Sequence, residues 1–274
     1  MGDSREVLTR PARPADLTVR YGPGSEHVAD AWLPQGTGPH PLVIVVHGGS
    51  WQAKYDRAHT GPMCEALADA GYLACAVEYH RVGHELGGWP GTFADVAAVV
   101  DAVPTLLGEQ VAADRIALLG HSAGGHLALW AAARHRLPAD HPWHRAEPLV
   151  RGVVSLAGSS NLGLAHEIDM DDGSVASFLG GGPDAYPDRY AVADPIRLVP
   201  TGVRTVLLHG DADDIVPIEI SRSYATAARA AGDDVELREL PGIGHFAVID
   251  PLSTVWPTVL DALAEILGTG PKRS

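Results

Sequence analysis

Pro41-Leu-Val-Ile-Val-Val-His47 is a continuous apolar run bounded by turn residues, and such a run is a strand covered on both faces. Strand-type runs follow at residues 72–78, 115–119, 149–156, 203–209 and 235–240. Helix-type stretches stand between or after them at 57–70 (its regular part starting at Pro62), 92–103, 123–134, 221–231 and 251–267. Thr92 and Asp95 have the spacing of a capping box, Pro104 is expected to kink or end that helix, and Pro257 to bend the last one. Residues 17–21 and 27–33 read as a short antiparallel opening. Strands alternating with helices need crossover connections, so the expected class is α/β: a mostly parallel eight-stranded sheet with helices on both faces. Residues 1–16 read as a loose N-terminal arm and 17–274 as one domain. Within it, 158–200 breaks the rhythm with Gly180-Gly181-Gly182 and Asp169, Asp171 and Asp172, the mark of a lid insertion.

Charge narrows the function. Twenty Lys and Arg against 34 Asp and Glu give −14, which supplies no basic stripe for nucleic acid or an anionic membrane and mildly disfavours acidic substrates. Cys64 and Cys75 read as small buried residues. No secretory signal is visible and the apolar runs fall far short of the roughly 18 residues that span a bilayer, so a cytoplasmic location is expected. A homodimer is left open. There is no Walker A or G-x-G-x-x-G sequence, so no nucleotide cofactor is expected. No metal is expected either. His80, His84 and Glu85 lie among glycines, and Asp169-x-Asp171-Asp172 lacks the spacing of a calcium loop.

Gly120-His121-Ser122-Ala123-Gly124 sits between a strand and a helix. A hairpin there forces its middle residue into a strained conformation, which small neighbours two places away relieve, and lifts the serine above the sheet at the positive end of the next helix. The alternative is a tight turn whose serine merely caps the helix. A serine nucleophile needs a base and an orienting carboxylate; where the serine stands on such a strand-to-helix turn of an α/β sheet, they follow it in the chain order acid, then His. Asp211, Asp213 and Asp214 follow the strand at 203–209, where a sheet presents catalytic groups. Of 14 histidines only His245, between glycines and the last helix, comes after that loop. His47-Gly48-Gly49-Ser50-Trp51 follows the 41–47 run, and its Gly49 and Ser50 amides with that of Ala123 are candidate oxyanion donors. Trp51, His121 and Trp89 are candidate substrate contacts, ordinary packing being the alternative for Trp89.

From Tyr21 to Leu267 the chain resembles α/β-hydrolases of the esterase and lipase branch. His47-Gly-Gly-Ser-Trp51 is similar to the H-G-G-x-W motif of arylformamidases (kynurenine formamidases) and related small carboxylesterases, and unlike the H-G-G-G of hormone-sensitive-lipase relatives. His209-Gly-Asp-Ala-Asp213-Asp-Ile-Val-Pro217 is similar to that family's H-G-x-x-D-x-x-V-P, whose register selects Asp213 as the acid, with Asp214 the alternative. Two departures stand out. The arginine often found after the tyrosine at Tyr79 is displaced to Arg81 by His80, and Asn161-Leu162 replaces a common Asp-Leu. The resemblance implies a cofactor-free serine hydrolase of a small ester or N-formyl amide, acting through Ser122, His245 and Asp213. A dedicated arylformamidase is the alternative, and a small-ligand binding protein on the same scaffold is the non-enzyme one.

Overall fold

The computed structural model describes residues 5–269. Its strands are β1 (Leu17–Arg20), β2 (Val28–Trp32), β3 (His40–Val46), β4 (Leu73–Val77), β5 (Val111–His121), β6 (Gly152–Leu156), β7 (Arg204–Gly210) and β8 (Val235–Leu240). They form one eight-stranded sheet in the order β1-β2-β4-β3-β5-β6-β7-β8. β2 pairs antiparallel with β1 and β4, and every other pair is parallel. The α/β class, the strand count and the antiparallel opening agree with the sequence.

The main helices are α1 (Gly61–Asp69), α2 (Gly91–Leu107) and α3 (Ala123–Ala132), then α4 (Leu162–Glu167), α5 (Ser174–Leu179) and α6 (Pro187–Ala193) from the 158–200 segment, and finally α7 (Glu219–Ala230) and α8 (Trp256–Leu267). Strand side chains alternate between two cores. Leu42, Ile44 and Val46 meet α2, α3 and α7, whereas Val43 and Val45 meet α1 and α8. That double cover explains the unbroken apolar runs. The three short helices of the 158–200 segment pack on the α2 and α3 side through Leu162, Phe178 and Tyr190.

Several local expectations change. Pro104 lies inside α2 and does not end it, and Pro257 is at the first turn of α8, where a missing N–H costs nothing, so there is no bend. Thr92 forms no capping box: its hydroxyl donates to the His80 carbonyl and accepts from Gly88 N, while Asp95 holds the His80 and His27 rings. By length and composition the helical stretch Gly91–Gln110 could cross a membrane; here half of its apolar window is buried inside the fold.

The arm is not loose where it is described; residues 1–4 lie outside the described residues. Residues Arg5–Thr9 form a 3-10 turn with Val7 fully buried. Arg10 pairs bidentately with Asp250, Arg13 N donates to Glu65, and Trp32 Nε1 donates to Arg13 O at 3.0 Å. Asp250 lies 240 residues away in the chain, so no local pattern announces the contact.

β3 has β4 on one side and β5 on the other, so the chain reverses its direction of travel across the sheet at β3. Crevices at the carboxyl ends of such strands are where open α/β sheets bind ligands. Both the 47–51 loop and Ser122 lie at those ends.

Candidate active site

Ser122 sits between β5 and α3 with φ 53° and ψ −121°, in the left-handed region that costs a side chain roughly 1–3 kcal/mol. Its N–H donates to Leu156 O at 2.9 Å, and its carbonyl accepts from His126 N and Ser159 N, each at 3.2 Å. Its hydroxyl makes no capping bond to α3, which removes the helix-cap reading. The two motif glycines are fixed by space. A Cβ on Gly120 would stand 2.1 Å from Gly124 O, and one on Gly124 would stand 2.0 Å from Val46 O and 2.4 Å from His47 O. Backbone cannot yield there without prising α3 from the sheet. Gly124→Ala is therefore expected to cost roughly 2–4 kcal/mol and lower the melting temperature by about 5–15 °C. Calorimetry measures this, and a melting temperature within about 2 °C of wild type would overturn the argument.

The 47–51 loop carries three successive positive φ angles: Gly49 112°, Ser50 52° and Trp51 56°. At Gly49 a Cβ would lie 2.5 Å from that of Tyr55, so glycine is required. Gln52 N→Gly49 O (2.9 Å) and Val82 N→Trp51 O (2.8 Å) hold the turn. The same turn sends Trp51 inward. Its ring stacks on Phe178 at 4.7 Å and its Nε1 donates to His126 Nδ1 at 3.2 Å. Burial lowers His126 to about 4, so its ring is neutral and its Nε2 donates to Ala193 O at 2.9 Å. Trp51 is thus a core anchor and not a wall of the cavity. Trp89 is likewise absent from the cavity, packed edge-on against Trp143 and Phe93. The amides of Gly49, Ser50 and Ala123 find no acceptor among the described residues, the condition for donors that wait for a developing charge.

His245 Nδ1 lies 2.7 Å from Asp213 Oδ2. The other Asp213 oxygen accepts from Ile215 N at 2.9 Å and Val216 N at 2.8 Å. Burial alone would raise the Asp213 carboxyl, but hydrogen bonds from His209 and His245 outweigh it and hold the group below the ordinary carboxylate range. Asp214 is exposed to solvent, and Asp211 accepts from Gly242 N in the neighbouring loop. His121 Nε2 donates to His245 O at 3.0 Å, and burial followed by the nearby His245 keeps its ring well below the ordinary histidine value. It lines the cavity and braces His245.

Sequence reasoning missed two supports. His209, buried, accepts from Ser221 Oγ at 2.7 Å, donates to Val216 O at 2.8 Å and stands 3.3 Å from Asp213. Glu78 accepts from His47 Nε2 at 2.9 Å and pairs with Arg81 at 3.2 Å, beneath the 47–51 loop. The displaced Arg81 thus supplies a buried cation, and a polar residue inside the 72–78 run was the signal. Asn161 caps α4, accepting from Leu164 N at 3.0 Å, outside the cavity.

Burial would raise Glu78, but His47 beside it and then Arg81 hold it at about 2. Because the folded-state value lies below the ordinary 4.5, the stabilisation is present above about pH 4.5 and is lost as pH falls through about 2. Glu78→Gln is expected to cost roughly 3 kcal/mol at neutral pH, a gap that closes on acidification. Urea unfolding across pH reads it, and a gap undiminished near pH 2 would remove charge from the explanation.

Ser122, His121, His245, Gly49 and Ser50 face one cavity of about 260 Å³. Among the described residues three metal-type donors converge only at His27, His80 and Asp95, where Asp95 takes hydrogen bonds from both rings.

Residues 29–227 match the BD-FAE family. The chain is 29% identical over 265 residues to esterase LipQ of Mycobacterium tuberculosis, covering 91% of this chain and 61% of LipQ, so it spans about three fifths of that relative's length. It is 25% identical over 248 residues to kynurenine formamidase of Salmo salar, covering 86% of this chain and 76% of that one. In fold it is similar to the esterase Est2 of Thermogutta terrifontis, with a TM-score of 0.74 at 24% identity over 96% of this chain and 98% of that one. The matched residues, the sheet order and the strained serine turn together make this chain a member of the BD-FAE family of α/β-hydrolases.

Proposed function

We propose that this chain is a serine-dependent carboxylic ester hydrolase. The observation that carries the reading is the 2.7 Å hydrogen bond from His245 Nδ1 to Asp213, on the cavity that also holds the strained Ser122. Ser122 Oγ attacks the ester carbonyl as His245 takes its proton. Asp213 keeps the proton on Nδ1, so that Nε2 is the basic nitrogen, and the Gly49, Ser50 and Ala123 amides receive the oxyanion. His245 then protonates the departing alcohol, and water releases the acyl group by the same steps in reverse order. The esterase relatives support this chemistry, and a cavity of about 260 Å³ suits a short acyl group.

The likeness to a kynurenine formamidase over 86% of the chain favours a second reading, hydrolysis of an N-formyl arylamine. A fluorophosphonate probe is expected to label the wild type and leave Ser122→Ala unlabelled. Labelling independent of Ser122, or none, would sink the enzyme reading. A panel of 4-nitrophenyl esters beside N-formylkynurenine separates the two readings. Turnover of the formamide well above that of the esters would favour the second.

A further inference from the structure

We propose that the cavity selects esters bearing a negative charge on the part that projects from its mouth, through Arg5 and Lys54. This rests on the ester hydrolysis proposed above and adds the substrate's charge class. The mouth is built by segments remote in sequence: Arg5 and Leu8 from the arm, Lys54 from the loop after Trp51, and Asp171 from the 158–200 segment. The Arg5 guanidinium lies 5.3 Å from the centre of the Phe246 ring, next to His245, and Lys54 Nζ lies 5.0 Å from that of Tyr55.

Neither cation forms an ion pair with a described carboxylate, whereas the nearby Arg10, Arg13 and Arg57 are paired with Asp250, Asp16 and Asp30. A paired cation has little left to offer a ligand; these two keep their charge for one. Asp171 is the one carboxylate among the residues lining the cavity. His59 adds no charge at neutral pH, since burial and the neighbouring His47 lower it to about 4. Among the lining residues two cations therefore face one anion, the Asp213 carboxylate being buried behind His245.

An open groove of about 950 Å³ continues from the mouth along residues 8–15 to Trp32, and Leu8, Lys54, Tyr55 and His59 line both spaces. A substrate whose acyl group lies at Ser122 thus passes Lys54 as it leaves the cavity. The arm does not drift from this position, because Val7 is buried and Arg10 is clamped to Asp250. Most of the chain's net −14 is spread over the whole surface, and at physiological ionic strength a charge acts strongly only within about 8 Å, so the side chains at the mouth weigh most there.

The test compares kcat/KM for 4-acetoxybenzoate, whose leaving group is anionic, with that for its neutral methyl ester. The anionic-to-neutral ratio is followed across variants, which cancels the two esters' intrinsic reactivity. In Arg5→Gln/Lys54→Gln the ratio is expected to fall about five- to tenfold, and about two- to threefold in each single variant. Asp171→Asn should raise it about twofold, and 0.5 M salt should lower it in the wild type more than in the double variant. Arg238→Gln, on β8 away from the cavity, serves as the control. A ratio unchanged in the double variant, or lowered as much by Arg238→Gln, overturns the charge selectivity while leaving ester hydrolysis standing. If neither ester is turned over in a Ser122-dependent way, the hydrolase reading itself fails and the selectivity falls with it.

Discussion

Ser122→Ala is expected to lower kcat on 4-nitrophenyl acetate by roughly 10⁴- to 10⁶-fold, leaving only what the oxyanion donors and binding contribute. The change removes the attacking oxygen and leaves the cavity walls in place, so KM should move far less than kcat. Stability should hardly respond, because alanine meets the same φ of 53° that serine endures. Ser122→Gly separates the two roles of the position. Glycine relieves the left-handed strain at some cost in chain entropy, so it should be as inactive as alanine yet melt higher, by up to about 1 kcal/mol or 2–4 °C. Activity above one hundredth of wild type in Ser122→Ala would place the nucleophile elsewhere. An unchanged or lowered melting temperature in Ser122→Gly would mean that the turn is not strained.

What the residues disclosed and what they hid divide along the range of the interactions. The sheet was legible because β3, β4 and β6 are buried on both faces, and a strand with no solvent side leaves an unbroken apolar run. The Ser122 turn was legible because its glycines answer to contacts of about 2 Å that no other residue tolerates. Trp51 was misread because the residue type says only that a large ring is present. The positive φ values at Ser50 and Trp51, which turn it toward Phe178, depend on the packed fold. The arm was misread for a similar reason: Arg10 and Asp250 give no sign in sequence that they meet. Thr92 and Asp95 had the right spacing for a cap, but His80 and His27 offered Asp95 stronger partners than a helix N–H. Local rules gave the frame of the site, and long-range pairing decided its walls.

Asp213→Asn should lower kcat by about 10⁴-fold while Asp214→Asn stays within about twofold of wild type. The carboxylate oxygen 2.7 Å from His245 Nδ1 accepts a hydrogen bond from that nitrogen, which keeps its proton. An asparagine can turn its oxygen to Ile215 N and Val216 N, which Asp213 now satisfies, and its amide N–H₂ then faces His245. Nδ1 must become the acceptor, the ring proton moves to Nε2, and the nitrogen that should take the Ser122 proton is blocked. His209 cannot substitute, because its Nε2 is held by Val216 O at 2.8 Å. The acid limb supplies an independent check. Asp213 is held below its ordinary range, so its charge stabilises the fold above about pH 4 and that contribution is lost as pH falls through the lowered value. Unfolding measurements should therefore show the two proteins separated at neutral pH and converging in acid. Asp214 is exposed, so its variant should track wild type throughout. Equal losses in both variants, or an active Asp213→Asn, would move the orienting role away from Asp213 and break the proton path from Ser122 through His245.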